Sequence, residues 1–310
     1  MKAIRVHAFG GPEVIAFEEI ARPQPGSGEV LIRVAAAGVG PWDAWVRAGQ
    51  SALPQPLPLT LGSDLAGTIE AIGADVTAFT LGTPVFGVTN AQFTGAYAEY
   101  AIAQAAMIAV KPERLGFVEA ASIPVVASTA WEMLFDHGRL TAGQSVLIHG
   151  AAGNVGAFAV QFAKQAGIRV FATAYARDVD YVRGLGADRV IDVQSERFEE
   201  IARDVDVVID TIGGDTLARS FATLKRGGAL VSSVANPDPI AATRGGIRAV
   251  FFLVDVTTAG LTAIARMIDE GHIRTNVGEV LPLQDAVIAH EMLAGKPHKG
   301  GKIVLKIADQ

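Results

Sequence analysis

The sequence predicts an α/β fold in two parts, a coiled β-domain followed by a doubly wound parallel sheet. Three observations predict it. The first hundred residues break into short apolar runs punctuated by Gly and Pro. From Leu115 onward, longer helical patterns alternate with short strands. Within that second stretch, Val146 to Gly156 carries an apolar strand through a small-residue turn directly into a helix.

The elements follow in order. Met1-Lys2-Ala3-Ile4-Arg5-Val6 opens on a strand, and Glu29 to Ala35 is the next strand, with Pro23, Pro25, Gly26 and Gly28 as turns before it. Pro54-Gln55-Pro56-Leu57-Pro58 excludes helix and central strand. Gly62, Gly67, Gly73, Gly82, Gly87 and Gly95 divide further short runs, which suggests a barrel-like arrangement. Strands then follow at Ser145 to His149, Arg169 to Thr173, Val190 to Val193, Val205 to Asp210 and Ala229 to Val234, with a sixth at Phe251 to Val254. Helices lie between them at Val155 to Gln165, Asp178 to Leu185 and Thr216 to Leu224. The tail carries helices around Leu261 to Glu270 and Gln284 to Leu293, then a strand at Lys302 to Ile307. Pro112 to Gly116 and Asn236 to Gly246 read as linkers.

Composition narrows the function. Half of the 310 residues are hydrophobic and 19% are charged, which suits a globular chain with a sizeable core. A net charge of -6 disfavours nucleic-acid partners. With no cysteine, disulfides, thiolate nucleophiles and sulfur-ligated metals are excluded. No apolar run reaches membrane-spanning length and no secretion signal is legible, so a cytoplasmic location is expected.

The turn Gly150-Ala151-Ala152-Gly153-Asn154-Val155-Gly156 carries the chemistry. Free N–H groups at a helix start bind an anion. Gly153 lets backbone approach a pyrophosphate, and Gly156 lets the helix sit close to its strand. Ala152 is read as the break in a strict GxGxxG. An NAD site wants an acid after the second strand. Here Thr173-Ala174-Tyr175-Ala176-Arg177 stands there, and Arg177 suits a 2′-phosphate. NADPH is therefore expected, and a solvated surface charge is the other reading of Arg177. Asp178 reads as a helix cap. After the fourth strand, Thr211, Gly213 and Gly214 leave room for a ribose and a nicotinamide, while Asp210 either joins them or fixes the turn. Ser232 and Ser233 offer hydroxyls or ordinary turn chemistry.

Absences direct the reaction. The six His are scattered, and His290-Glu291 lacks a second His where a zinc protease motif needs one. There is no Tyr-x-x-x-Lys pair, no G-x-S-x-G elbow and no phosphate loop of the ATPase type. Hydride transfer to a conjugated carbonyl or quinone fits, because that acceptor is already electrophilic.

With these motifs in order, the chain resembles the zinc-independent quinone oxidoreductase (zeta-crystallin-like) group of the medium-chain dehydrogenase/reductase superfamily. The resemblance spans nearly the whole chain. It rests on Ala36-Ala37-Gly38-Val39-Gly40-Pro41-Trp42-Asp43, Leu61 to Gly67, Gly95 to Tyr100, the Gly150 turn, Asp210 to Gly214 and His298 to Leu305. It implies a GroES-like substrate domain at 1–120, completed by 255–310, and a Rossmann domain at 121–254, with the nicotinamide between them. It implies NADPH contacts at Thr129, Gly150, Ala152, Gly153, Asn154, Val155, Ala174, Tyr175, Arg177 and Val234, and at Phe251, Phe252, Val254, Gly301 and Lys302. A homodimer through the last strand of the cofactor sheet is also implied. Many relatives carry Asn where this chain has Gly40, which suggests a roomier or less polar pocket unless Trp42 and Trp45 fill it. Tyr97 is the expected polar contact to a small hydrophobic electrophile, and a core-edge tyrosine with a satisfied hydroxyl is the other reading. Thr129 and Gly40 join it as catalytic candidates, and Asp43 is ambiguous. Asp64 is read as a brace for its turn. An enoyl-thioester reductase, an alcohol dehydrogenase and a non-catalytic NADPH-binding protein are the competing readings.

Overall fold

A computed structural model describes residues 1–53 and 55–308. Pro54 of the proline-rich run, Asp309 and Gln310 lie outside the described residues. Along the chain the strands of the first part are β1 (Lys2–Val6), β2 (Ile15–Glu19), β3 (Glu29–Val39), β4 (Leu59–Thr60), β5 (Asp64–Ile72), β6 (Pro84–Val88), β7 (Tyr100–Gln104) and β8 (Ile108–Val110), with helix α1 (Pro41–Arg47) after β3. Helices α2 (Phe117–Ala121) and α3 (Pro124–Trp131) follow, and α3 runs on as a π-helix over Glu132–His137. Then come β9 (Ser145–Ile148), α4 (Asn154–Gln165), β10 (Arg169–Ala174), α5 (Val179–Gly184), β11 (Arg189–Asp192), α6 (Phe198–Ile201), β12 (Val205–Asp210), α7 (Gly214–Ser220), β13 (Leu224–Ser232), α8 (Pro239–Gly245) and β14 (Arg248–Phe251). The tail contributes α9 (Thr258–Asp269), β15 (Val277–Pro282), α10 (Ala286–Leu293) and β16 (Lys302–Lys306).

The chain divides into two units. The first holds Met1–Val125, Val256–Gly271 and the chain from Thr275. Its larger sheet runs β15-β16-β3-β5-β6-β8, with β7 also on β3, and a smaller sheet runs β2-β1-β4. Pairing is antiparallel except for β15 beside β16. Alternate residues of β3 and β5, such as Val30, Ile32, Val34, Leu65 and Ile69, enter one core with Ile303 and Leu305 of β16. Strand β3 runs four residues beyond the expected Ala35, because the small residues Ala36 to Val39 still pair with β16.

The second unit holds Val126–Asp255 and His272–Arg274. Its six strands are all parallel, in the order β11-β10-β9-β12-β13-β14. This is the doubly wound order whose direction of winding reverses between β9 and β12. Leu147, Phe171, Ile191, Val208 and Leu230, one from each of five strands, form its core with Phe198 and Leu217.

Two expectations are corrected. The sixth strand is Arg248–Phe251, not Phe251 to Val254. Ala229 to Ser232 pair with Arg248 to Phe251, and the apolar run outlasts the pairing. Asn236 to Gly246 is no plain linker either. Asp238 caps α8 by accepting from the Ile240 N–H at 2.8 Å, Pro239 starts the helix, and Gly246 ends it at φ +61°.

One buried ion pair fastens the last strand of the first unit. Lys302 Nζ donates to Asp64 Oδ2 at 2.9 Å, with both side chains withdrawn from solvent. Asp64 Oδ1 accepts the Val125 N–H. Removing one partner strands a charge in the core, so Lys302→Met is expected to cost about 3–5 kcal/mol. Lys302→Met with Asp64→Leu should recover much of that loss in chemical denaturation.

Candidate active site

The turn after β9 is held from several sides. Gly150 stands at φ +71° and its C=O accepts the Gly153 N–H at 2.9 Å. A Cβ at Gly156 would meet Ala151 Cα at 2.7 Å and the Gly150 C=O closer still, so only glycine lets α4 begin here. Gly153 is different. A Cβ there would meet only the Gly150 oxygen, at 3.2 Å, and the residue is exposed. A side chain there would press on that one backbone oxygen and on nothing else, and the backbone face lies open. Gly153 caps α4 with no side-chain hydrogen bond, so the first N–H groups of a twelve-residue helix stay open. With Gly153 and Gly156 as second and third glycines of GxGxxG, the departure falls on Ala151, not Ala152. Ala151 is fully buried, and Gly150 makes the tight turn instead.

Parallel strands bring the other expected cofactor residues to the same carboxyl edge. Ala174 ends β10 and is nearly buried, while Tyr175 just beyond is exposed. The Arg177 side chain is 80% exposed, 3.5 Å from Asp178 Oδ2 and 5.4 Å above the Tyr175 ring centre. Asp178 occupies the cap position of α5 but makes no capping bond, which corrects its assignment as a cap. Its carboxylate faces Arg177 instead.

Beyond β12, Asp210 is a turn-fixing residue. It is fully buried, its Oδ1 accepts the Ile212 and Gly213 N–H groups, and its Oδ2 accepts the Ser232 hydroxyl. Ser232 in turn accepts the Val234 and Ala235 N–H groups, so both side chains are spent on turns. Thr211 donates to the His149 C=O at 2.8 Å. Gly213, at φ +77°, lies against half-exposed Val234. Thr129 is buried on α3, and the buried Ser128 hydroxyl beside it has no partner among the described residues. Phe252 is buried with its ring centre 4.4 Å from that of His137, whereas Phe251 is exposed and Val254 partly so.

Several expected residues lie in the first unit, and their side chains point inward. Tyr97 is fully buried and its hydroxyl donates to Asp43 Oδ2 at 2.9 Å, which corrects its assignment as a substrate contact. Asp43 Oδ2 also accepts the Gly40 N–H at 2.8 Å, the bond that starts α1, with Pro41 in the first helical position. Burial pushes the Asp43 carboxyl up to about 7, against the pull of these donors and of Lys302. The same burial, with Asp43 alongside, holds the Tyr97 hydroxyl well above the usual phenol range. Lys302 turns its ammonium into the core beneath Trp42, 4.2 Å from the ring centre, so its side chain is not offered to a cofactor. Gly301, at φ +122°, packs tightly against Gly278 and Asn276.

Gly40 meets one of the two alternatives expected for it. A Cβ there would lie 2.6 Å from Trp42 Cε2 and nearer still to two other ring carbons. The indole, held by its Nε1–H donating to Ser63 Oγ at 3.0 Å, takes the volume that residue 40 would fill. Trp42 thus fills the space beside Gly40, while Trp45 is half-exposed. Sequence reasoning missed Ser63, Arg47 and His290. Arg47 Nη1 donates to His290 Nδ1 at 2.7 Å, and burial lowers that imidazole to about 3. No local signal was available, because Arg47 and His290 lie 243 residues apart.

The matching family models are the alcohol dehydrogenase GroES-like domain over residues 26–113 and the zinc-binding dehydrogenase over 185–305. The Mus musculus quinone oxidoreductase is 33% identical over 326 aligned positions, covering 98% of this chain and 97% of its own. The chain belongs to the quinone oxidoreductase group of the medium-chain dehydrogenases/reductases. The quinone oxidoreductase structure from Coxiella burnetii is 34% identical with a TM-score of 0.89, covering 99% of both chains. The Escherichia coli quinone oxidoreductase complexed with NADPH is 26% identical with a TM-score of 0.88, covering 98% of this chain and all of its own. Zinc in the name of one family model does not extend to the residues here. The chain has no cysteine, and among the described residues no three His, Asp or Glu cluster as a metal site would need.

Two predictions follow from the first unit. Gly40→Asn alone should clash with the indole and lower the melting temperature by several degrees, while Gly40→Asn with Trp42→Val should recover most of it. Asp43→Asn keeps acceptors for Gly40 and Tyr97 but cannot ionise. In the wild type the unfolded chain releases this proton near pH 4 and the folded chain near 7, so stability falls as pH rises through that window. The melting temperature of Asp43→Asn relative to wild type should therefore climb from pH 4 to 7 and level off above it. Parallel profiles would sink the assignment.

Proposed function

We propose that this chain is an NADPH-dependent, zinc-independent oxidoreductase acting on quinones and α,β-unsaturated carbonyls. In this reading residues 1–120 and 255–310 take the substrate, and 121–254 bind the cofactor. The carrying observation is the turn between β9 and α4, where exposed Gly153 bares its backbone at an uncapped helix start, at the reversal point of the sheet. The Escherichia coli relative, described as an NADPH complex, supports the same cofactor.

Each residue then has a task. Gly150 sets the turn, and the backbone of Ala152, Gly153, Asn154 and Val155 holds a pyrophosphate. Ala174 ends β10 with room for a ribose, Tyr175 offers a flat face for adenine, and Arg177 a guanidinium for the 2′-phosphate. Thr129 and Ser128 supply hydroxyls toward the nicotinamide. Thr211, Gly213 and Val234 shape the wall after β12 and β13, with Phe251, Phe252 and Val254 completing it. Bound NADPH supplies a hydride with its electron pair. A conjugated acceptor needs orientation and exclusion of water more than it needs an acid. Gly40 and Asp43 contribute through the turn that Asp43 pins, and Tyr97 through Asp43. Among the described residues no helix is long and apolar enough to cross a membrane. A second copy of the chain is assigned to the β14 edge, where Phe251 and Leu253 stand exposed.

The test is oxidation of NADPH and NADH against quinones, enones, enals, enoyl thioesters and, in reverse, alcohols. NADPH consumption with quinones and enones is expected. Turnover confined to enoyl thioesters would favour a thioester reductase, and tight NADPH binding without turnover would overturn the enzymatic reading. Arg177→Ala should raise the KM for NADPH about tenfold or more, in keeping with a lost charge-assisted hydrogen bond, and leave that for NADH unchanged. Equal effects on both cofactors would remove Arg177 from the 2′-phosphate site.

A further inference from the structure

We infer that His149 is a positioning residue for the cofactor turn, and that its imidazole carries its proton on Nε2. The inference rests on the cofactor reading of the Gly150 turn. His149 follows the last residue of β9 and precedes Gly150, and its side chain is fully buried. Both ring nitrogens lie within hydrogen-bond distance of hydroxyls, Nδ1 at 3.1 Å from Thr173 Oγ1 and Nε2 at 3.0 Å from Ser220 Oγ.

The direction of each bond follows by exhausting the donors. The Ser220 hydroxyl donates to the Thr216 C=O at 2.6 Å, so toward His149 it accepts. Nε2 therefore carries the proton. A neutral imidazole then leaves Nδ1 as an acceptor, and the Thr173 hydroxyl donates to it. Thr173 Oγ1 in turn accepts the Gly150 N–H at 3.3 Å. One chain with one polarity runs from Gly150 through Thr173 and His149 to Ser220 and Thr216 on α7. It ties the ends of β9 and β10 to the helix that follows β12.

Burial drives the imidazole down to about 4, so the ring is neutral at working pH. The nearby charged groups are Asp210, Arg219 and Glu199, and the Phe198 ring packs edge-on with its centre 4.6 Å away. The His149 C=O is also fixed, by the Thr211 hydroxyl. Side chain and carbonyl of one residue thus set the peptide plane entering Gly150. That plane orients the turn whose carbonyl receives the Gly153 N–H. Losing the Nδ1 acceptor frees the Thr173 hydroxyl to rotate and slackens the Gly150 peptide. The cost should fall on NADPH binding and spare turnover.

The experiment uses the full chain. Imidazole 15N NMR of the wild type, with the His149 signals found by difference from His149→Asn, reads the tautomer without any cofactor. A protonated Nε2 and an unprotonated Nδ1 are expected, and the opposite tautomer would overturn the inference. Steady-state kinetics then separate the two ends of the chain. Thr173→Val and His149→Gln, which lose the bond between Thr173 and Nδ1, should raise the KM for NADPH about tenfold with kcat within about twofold. Thr173→Ser should stay near wild type. His149→Asn, whose side-chain oxygen can stand for Nδ1, should be milder than His149→Gln. An unchanged KM in folded Thr173→Val would overturn the positioning role. Failure of the wild type to bind NADPH in a fluorescence titration would instead refute the cofactor reading, while the tautomer measurement would still stand.

Discussion

The start of α4 lies so close to the end of β9 that Gly156 has room for no side chain, and much of the second unit follows from that approach. It brings the first turn of a helix, with its open N–H groups, to the point where the sheet reverses its winding. A larger residue at 156 would push the helix outward and take those groups with it. Gly150 belongs to the same constraint, because its left-handed backbone turns the chain from strand into helix within a few residues. Gly153 differs from the other two, since a Cβ there would meet only the Gly150 oxygen, at 3.2 Å.

The two units use buried polar groups in related ways. In the second, Asp210 and His149 spend every bond on backbone and hydroxyl partners, so the carboxyl ends of β9, β10, β12 and β13 are fixed without exposed charge. In the first, Asp64 and Lys302 join β5 to β16 across 238 residues of sequence, and Asp43 joins the start of α1 to Tyr97. Such pairs leave little slack, since each partner unpaired would cost several kcal/mol. They hold a turn or a strand end where apolar packing alone would tolerate sliding.

The fold was largely legible because its elements are local. Val205 to Asp210 is apolar, short and flanked by turn residues, and it is a strand over that same span. Where local pattern and pairing part company, the reading failed. Phe251 to Val254 is an apolar run, but only its first residue has a partner on β13. The segment holding α8 is rich in Pro and Gly, and its helix depends on Asp238 and Pro239 acting as a start signal. The passage from β9 through the Gly150 turn into α4 was legible as far as its backbone goes. Side-chain direction was not, because Lys302 and Tyr97 are polar residues whose partners lie far away in sequence. No period or motif announces that a lysine will be buried under an indole.

The packing of Trp42 over Gly40 also bears on how such a site can change over time. Where the indole now sits, a Cβ at position 40 would overlap its ring, so the two positions are physically coupled. A side chain gained at 40 while the indole is in place costs stability, whereas glycine without the indole carries no such overlap. The effect of a substitution at either site therefore depends on which of the two arises first.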